Sequence, residues 1–267
     1  MTISVVQVGG TPADNAASGA RVFASNVTSG NKIVIPCFRS APGSDPFVAG
    51  DCTKTAGTAT IGTVELLAAT EIQYEAHAGR EIVGAWAADV TGTGSLTMTV
   101  AGTANNYFGV SGFELNASLG WDAGYLEDSA VNSSASDNTS ASSGNATSAG
   151  AAIFIGVLAT TDDGAAGSIV VTEDGAFSLG YEEEDDTVHA VGSVIYRIVT
   201  TGTTDSADWT LDNNKGWAAI LLVLKEAAAG ASAALTGTAT ATINEADIVA
   251  GGKTIVVTLT SETWIAN

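Results

Sequence analysis

No segment of this chain carries an apolar period of 3.6 residues over two turns, whereas short strand-like runs, some alternating apolar and polar residues at period two, follow one after another. That contrast constrains the fold most strongly, because alternation at period two puts apolar side chains on one face of a half-buried strand. The strand-like runs fall at 3–8, 32–38, 58–68, 81–90, 95–100 and 107–115, then at 152–160, 168–172, 176–181, 189–200, 207–211 and 216–225. Turn residues separate them, and Thr91-Gly-Thr-Gly94 predicts a hairpin. In 95–100, Leu96, Met98 and Val100 alternate with Ser95, Thr97 and Thr99, so one face of that strand is wet. Roughly a dozen strands of this kind predict an all-β fold. A two-sheet antiparallel jelly-roll sandwich over 1–227 fits them better than a small immunoglobulin domain.

Two segments break the rhythm. Residues 127–150 are a low-complexity stretch of Ser, Ala, Asn and Thr with almost nothing to bury, and they read as a long surface loop or an edge excursion. Residues 228–234 read as a flexible linker to a two-stranded extension over 235–267. There Ala239, Ala241 and Ile243 share one face of a first strand, and Ile255, Val257 and Leu259 share one face of a second. A pair of strands is marginal alone in water, so Ile243, Ile255, Val257, Leu259 and Trp264 form the expected assembly interface. Residues 245–249 have room for one helical turn.

Composition narrows the functions. Charged residues are only 14% of the chain, below the roughly 25% usual for soluble domains. The net charge is −20, from 29 acidic and 9 basic side chains. That field repels phosphate backbones and argues against nucleic-acid binding. The opening residues show no basic n-region or apolar h-region, and no run approaches the roughly 20 apolar residues of a membrane span. The chain is therefore expected to be made in a cytoplasm, with no membrane partner. Cys37 and Cys52 read either as small buried thiols or as a pair formed in an oxidising compartment.

Few residues suggest chemistry. Gly109-Val-Ser-Gly112 approaches a nucleophile elbow, but Phe113 stands where the last glycine is required, and His77 and His189 read as ordinary surface residues. Gly251-Gly-Lys-Thr254 ends like a phosphate loop, yet Asp247 replaces the leading glycine and a strand follows. The acidic groups Asp162-Asp-Gly164, Glu173-Asp-Gly175 and Glu182-Glu-Glu-Asp-Asp186 read as solvated loops or as weak sites for a hard cation such as calcium. Asn26, Asn116, Asn132, Asn138 and Asn145 match the glycan-acceptor pattern, an accident of a composition rich in Asn, Ser and Thr. Among Trp121, Tyr125, Trp209 and Trp217, the last belongs in the core. Trp121 and Tyr125 lie in an expected loop and form the better exposed pair for stacking on a sugar. No catalytic residue, metal ligand or cofactor site is expected, so the chain reads as a non-enzyme.

Gly84-Ala-Trp-Ala-Ala-Asp-Val90, the run from Tyr107 to Glu114, and Gly216-Trp-Ala-Ala-Ile-Leu-Leu-Val-Leu-Lys225 resemble the jelly-roll sandwiches of phage structural proteins and other surface proteins. The segment from Thr238 to Thr254, continuing to Thr263-Trp264, is similar to short β repeats of tailed-phage particle proteins. The resemblance implies a virion structural protein, exposed as a capsid decoration or tail-associated component. It would contact copies of itself and other virion proteins. A carbohydrate-binding adhesin domain and a glycan hydrolase using loop carboxylates are the competing readings.

Overall fold

The computed structural model describes residues 2–42, 46–73, 79–121, 123–161, 171–173, 175–185 and 190–227. The chain divides into two units, Met1–Ala229 and Gly230–Asn267, and the second lies outside the described residues. The expected interface residues Ile243, Ile255, Val257, Leu259 and Trp264 lie there as well, as do residues 245–249 and the Gly251–Thr254 turn.

The first unit is all-β and antiparallel. Its strands are β1 (Ile3–Val22), β2 (Lys32–Pro42), β3 (Cys52–Ala56), β4 (Thr60–Ile61), β5 (Glu65–Gln73), β6 (Gly79–Gly92) and β7 (Thr97–Ala117), followed by β8 (Leu126–Ser148), β9 (Ala152–Thr161), β10 (Val171–Glu173), β11 (Ser178–Asp185), β12 (Ala190–Val199) and β13 (Thr203–Lys225). One three-residue 3₁₀ turn, Ala49–Asp51, precedes β3. No helix among the described residues is long and apolar enough to cross a membrane.

The chain lays down one strand order twice. The first sheet runs β1-β7-β2-β6-β5, with β3 on β7 and the two-residue β4 on β6. The second runs β8-β13-β9-β12-β11, with β10 on β13. In each, the first and last strands are long and pair along most of their length: Ile3 opposite Ala117 through to Val22 opposite Thr97, and Leu126 opposite Leu224 through to Ser148 opposite Thr203.

Period two then sorts the side chains into three apolar layers. Val34, Phe38, Val83, Phe113 and Leu115 meet Ile153, Ile155, Val157, Ile220 and Leu222 between the two sheets. The alternate residues Ile33, Ile35, Ile82 and Trp86 point the other way, where Leu96, just ahead of β7, and Met98 and Val100 of its first part cover them. Phe154, Leu158, Leu221 and Val223 are covered in the same manner by Ala207, Trp209 and Leu211 of the first part of β13. Strands such as β9 and the end of β13 are thus buried on both faces, which accounts for their unbroken apolar runs. Between the sheets packing is tight: a Cβ on Gly192 of β12 would sit 2.1 Å from the Phe38 ring of β2.

Several expectations are corrected. The low-complexity stretch is β8, a strand of 23 residues and not a loop. Its backbone is satisfied by β13, so it needs few apolar side chains to be held. Ala141 and Ala146 reach the layer beneath, and the buried Ser143 hydroxyl accepts from Ala207 N at 2.9 Å. Gly144, at φ 80°, takes the left-handed conformation at the bulge facing Ser206 and Asp208. The Thr91–Gly94 link is no hairpin, because β2 lies between β6 and β7. It crosses the sheet end instead, and Gly94 and Val27 exchange backbone hydrogen bonds of 3.0 and 2.8 Å. β1 continues fourteen residues past its expected end at Val8, and the paired runs 95–100/107–115 and 207–211/216–225 are single bent strands. The run 58–68 splits into β4 and the start of β5.

Candidate functional site

Where the chain passes from the first sheet to the second, residues 118–121 and 123–125 lie at the end of β2 and β6. Gly120, at φ 76°, makes the turn, and its N–H donates to Ala117 O. The end of β13 fastens this crossing. Lys225 N donates to Tyr125 O at 2.8 Å, Ala227 N donates to Gly120 O at 2.9 Å, and Glu226 Oε2 accepts from Ser118 Oγ and Leu119 N. Trp121 and Tyr125 are thereby laid against the central layer, with ring centroids 6.4 Å apart and planes at 83°. Beneath them β2 and β6 pair with Lys32 directly opposite Asp89, an opposite-charge cross-strand pair of the favourable kind. The result is a half-open hollow of about 440 Å³, lined by Lys32, Thr63, Glu65, Ala87, Asp89 and Trp121.

Lys32 governs its electrostatics. Its side chain is only 2% exposed, and Nζ lies 2.5 Å from Asp89 Oδ1 and 3.5 Å from the centroid of the Tyr125 ring. The ammonium is held between a carboxylate and an aromatic face, which compensates for lost water. Tyr125 OH donates to Glu65 Oε2 at 3.1 Å. Burial first, then the Glu65 charge and hydrogen bond, and then Asp89, push the Tyr125 phenol well above its ordinary range, so it stays a neutral donor. Among the described residues that line it, the hollow therefore holds one fixed cation, two carboxylates and the Trp121 ring.

The sequence pairs Trp121 with Tyr125 correctly but overstates their exposure. Tyr125 is buried and Trp121 is partly covered. Trp209 is also buried, as is Trp217. Sequence reasoning misses Lys32, Glu65 and Asp89. The available signal is the single lysine heading an apolar strand, opposite the single aspartate at the end of another. The remaining candidates disperse. Glu182 to Asp185 lie in β11 and not in a loop, and Tyr181 OH donates to Glu183 Oε2. Glu173 is in β10, Asp174 and residues 162–164 lie outside the described residues, and no metal-binding group of carboxylates, His or Cys occurs among the described ones. His77 and His189 lie outside them too. Ser111 is fully buried in β7 and donates to Gly9 O, so it presents no nucleophile. Cys37 and Cys52 are free and buried.

A second polar centre is structural. Glu114, fully buried in β7, accepts from Gln7 Nε2, Thr28 N and Asn31 Nδ2 at 2.6–2.7 Å. Three donors replace the water its carboxylate gave up, and they pin the 23–31 connection to the sheet. The chain matches no protein-family model, no curated protein and no solved structure.

Proposed function

We propose that this chain is a structural protein of a tailed-phage particle, carried on its outside as a capsid decoration or tail-associated component. It is built on a jelly-roll type of sandwich and acts through contacts between proteins, not by turnover. The observation that supports this reading is how the apolar side chains are used. Among the described residues most large apolar side chains are buried in three stacked layers, while the long outer strand β8 offers solvent mainly Ser, Asn and Thr. A thick, acidic block with such a polar outer strand suits a component displayed in many copies, since like charge keeps neighbours soluble before assembly. Antibodies raised against the purified chain should decorate intact particles from the source culture in negative-stain images. Label confined to the soluble fraction of the lysate, with bare particles, overturns the proposal.

A further inference from the structure

We propose that the hollow beneath Trp121 is a binding site for a neutral sugar ring, a property separate from any place in a particle. Its size, about 440 Å³, lies in the range of roughly 300–1,000 Å³ found for small-molecule sites. The ligand class follows from what each lining group has left to offer.

An anion is disfavoured. Among the described lining residues the one cation, Lys32, is already committed to Asp89 and to the face of Tyr125, and two carboxylates outnumber it in a chain of net charge −20. A cation is disfavoured as well, because the Lys32 ammonium occupies the corner between the aromatic rings, 3.5 Å from one centroid and 5.6 Å from the other. A neutral ligand meets neither obstacle. The exposed carboxylates are the complement of hydroxyl donors. Glu65 Oε1 and Asp89 Oδ2 hold no protein donor among the described residues, while their sister oxygens are bound to Tyr125 OH and Lys32 Nζ. Hydrogen bonds from a hydroxyl to a carboxylate are roughly twice as strong as neutral ones. Trp121, partly exposed at the rim, supplies the broad apolar surface that the C–H face of a pyranose needs. Both carboxylates are fixed from behind, so little ordering is required on binding.

The test uses the full chain and saturation-transfer NMR with the methyl glycosides of glucose, galactose and mannose at millimolar concentration. At least one should receive saturation. Trp121→Ala should weaken its binding about tenfold or more, and Trp121→Phe should restore most of it. Glu65→Gln changes an exposed residue and keeps an acceptor for Tyr125 OH, so it should reduce binding while leaving the thermal midpoint unchanged. If the network only fastens the 118–125 crossing, Trp121→Ala will lower the midpoint and no glycoside will bind. That result overturns the proposal. Binding that survives both Trp121→Ala and Glu65→Gln, or binding of inorganic phosphate or tetramethylammonium in place of the glycosides, overturns it equally.

Discussion

Buried groups that ionise only in alkali set the behaviour of individual residues here. Cys37 and Cys52 lie in one apolar layer with Ile33, Ile35 and Met98. Burial, and then the charge of Asp51, push the Cys52 thiol up to about 12 from an ordinary value near 9. Burial raises Cys37 in the same direction, and it raises the Tyr125 and Tyr181 phenols, each next to a glutamate. In the unfolded chain these groups lose their protons at ordinary pH values, whereas in the folded one they keep them. Above about pH 9 the folded state therefore binds more protons, and stability must fall as pH rises. Their contribution is complete below pH 9, and that of Cys52 fades as pH climbs toward about 12. Urea midpoints should thus be flat from pH 7 to about 8.5 and decline beyond it. Cys37→Ala/Cys52→Ala should flatten part of that decline, and a midpoint that rises with pH contradicts the assignment. The folded protein should also react slowly with a thiol reagent at neutral pH, because the thiolate is the nucleophile.

At the scale of the element, β8 shows what a sequence can and cannot reveal. The runs Ile153 to Ala159 and Trp217 to Leu224 are legible because both faces of those strands are buried. β8 is not, because an edge strand is secured by backbone hydrogen bonds to one neighbour, and its side chains can be small and polar. The site divides in the same way. Trp121 and Tyr125 are close in sequence and recognisable as a pair, but Lys32 and Asp89 are 57 positions apart and meet only through the β2–β6 register. The repeated strand order is hidden too, since β1 and β8 occupy matching places with unlike compositions. A loop reading of 127–150 implied that a short linker could replace it cheaply. Since β8 pairs along β13 and covers Trp209, replacing 129–147 with a Gly/Ser linker should cost several kcal/mol through lost ladder bonds and an uncovered layer. The expected readout is a lower thermal midpoint with Trp emission shifted to the red. An unchanged midpoint means the ladder contributes nothing. Ser143→Ala isolates one term, the buried Ala207 N–H left without its acceptor, at about 1–3 kcal/mol.

For the whole molecule, the doubled strand order decides which parts can stand alone. Each sheet covers its own outer layer, but the central layer takes Phe38 and Phe113 from one sheet and Ile155 and Ile220 from the other. Neither half can bury that layer by itself, so Met1–Ala229 should fold as one body and melt in one transition. The chain beyond it stands in a different position. From the alternating sequence pattern alone, we propose two strands there, too few to form a core, with Ile243, Ile255, Val257, Leu259 and Trp264 as the side chains left to cover. Each large aliphatic side chain left in water forgoes roughly 1.5–3 kcal/mol. On that proposal, the five together would hold separate copies to one another by pairing of their extensions. Truncation after Ala227 should therefore leave the melting transition in place and lower the mass per particle measured by multi-angle light scattering. Ile255→Asp/Leu259→Asp in the full chain should lower it similarly, since charge on the apolar face opposes burial without shortening the chain. If the truncated, doubly substituted and intact chains all scatter as particles of the same subunit number, the extension is not the assembly element. Any contacts between copies would then lie on the sandwich, where β1, β5, β8 and β11 are the outer strands.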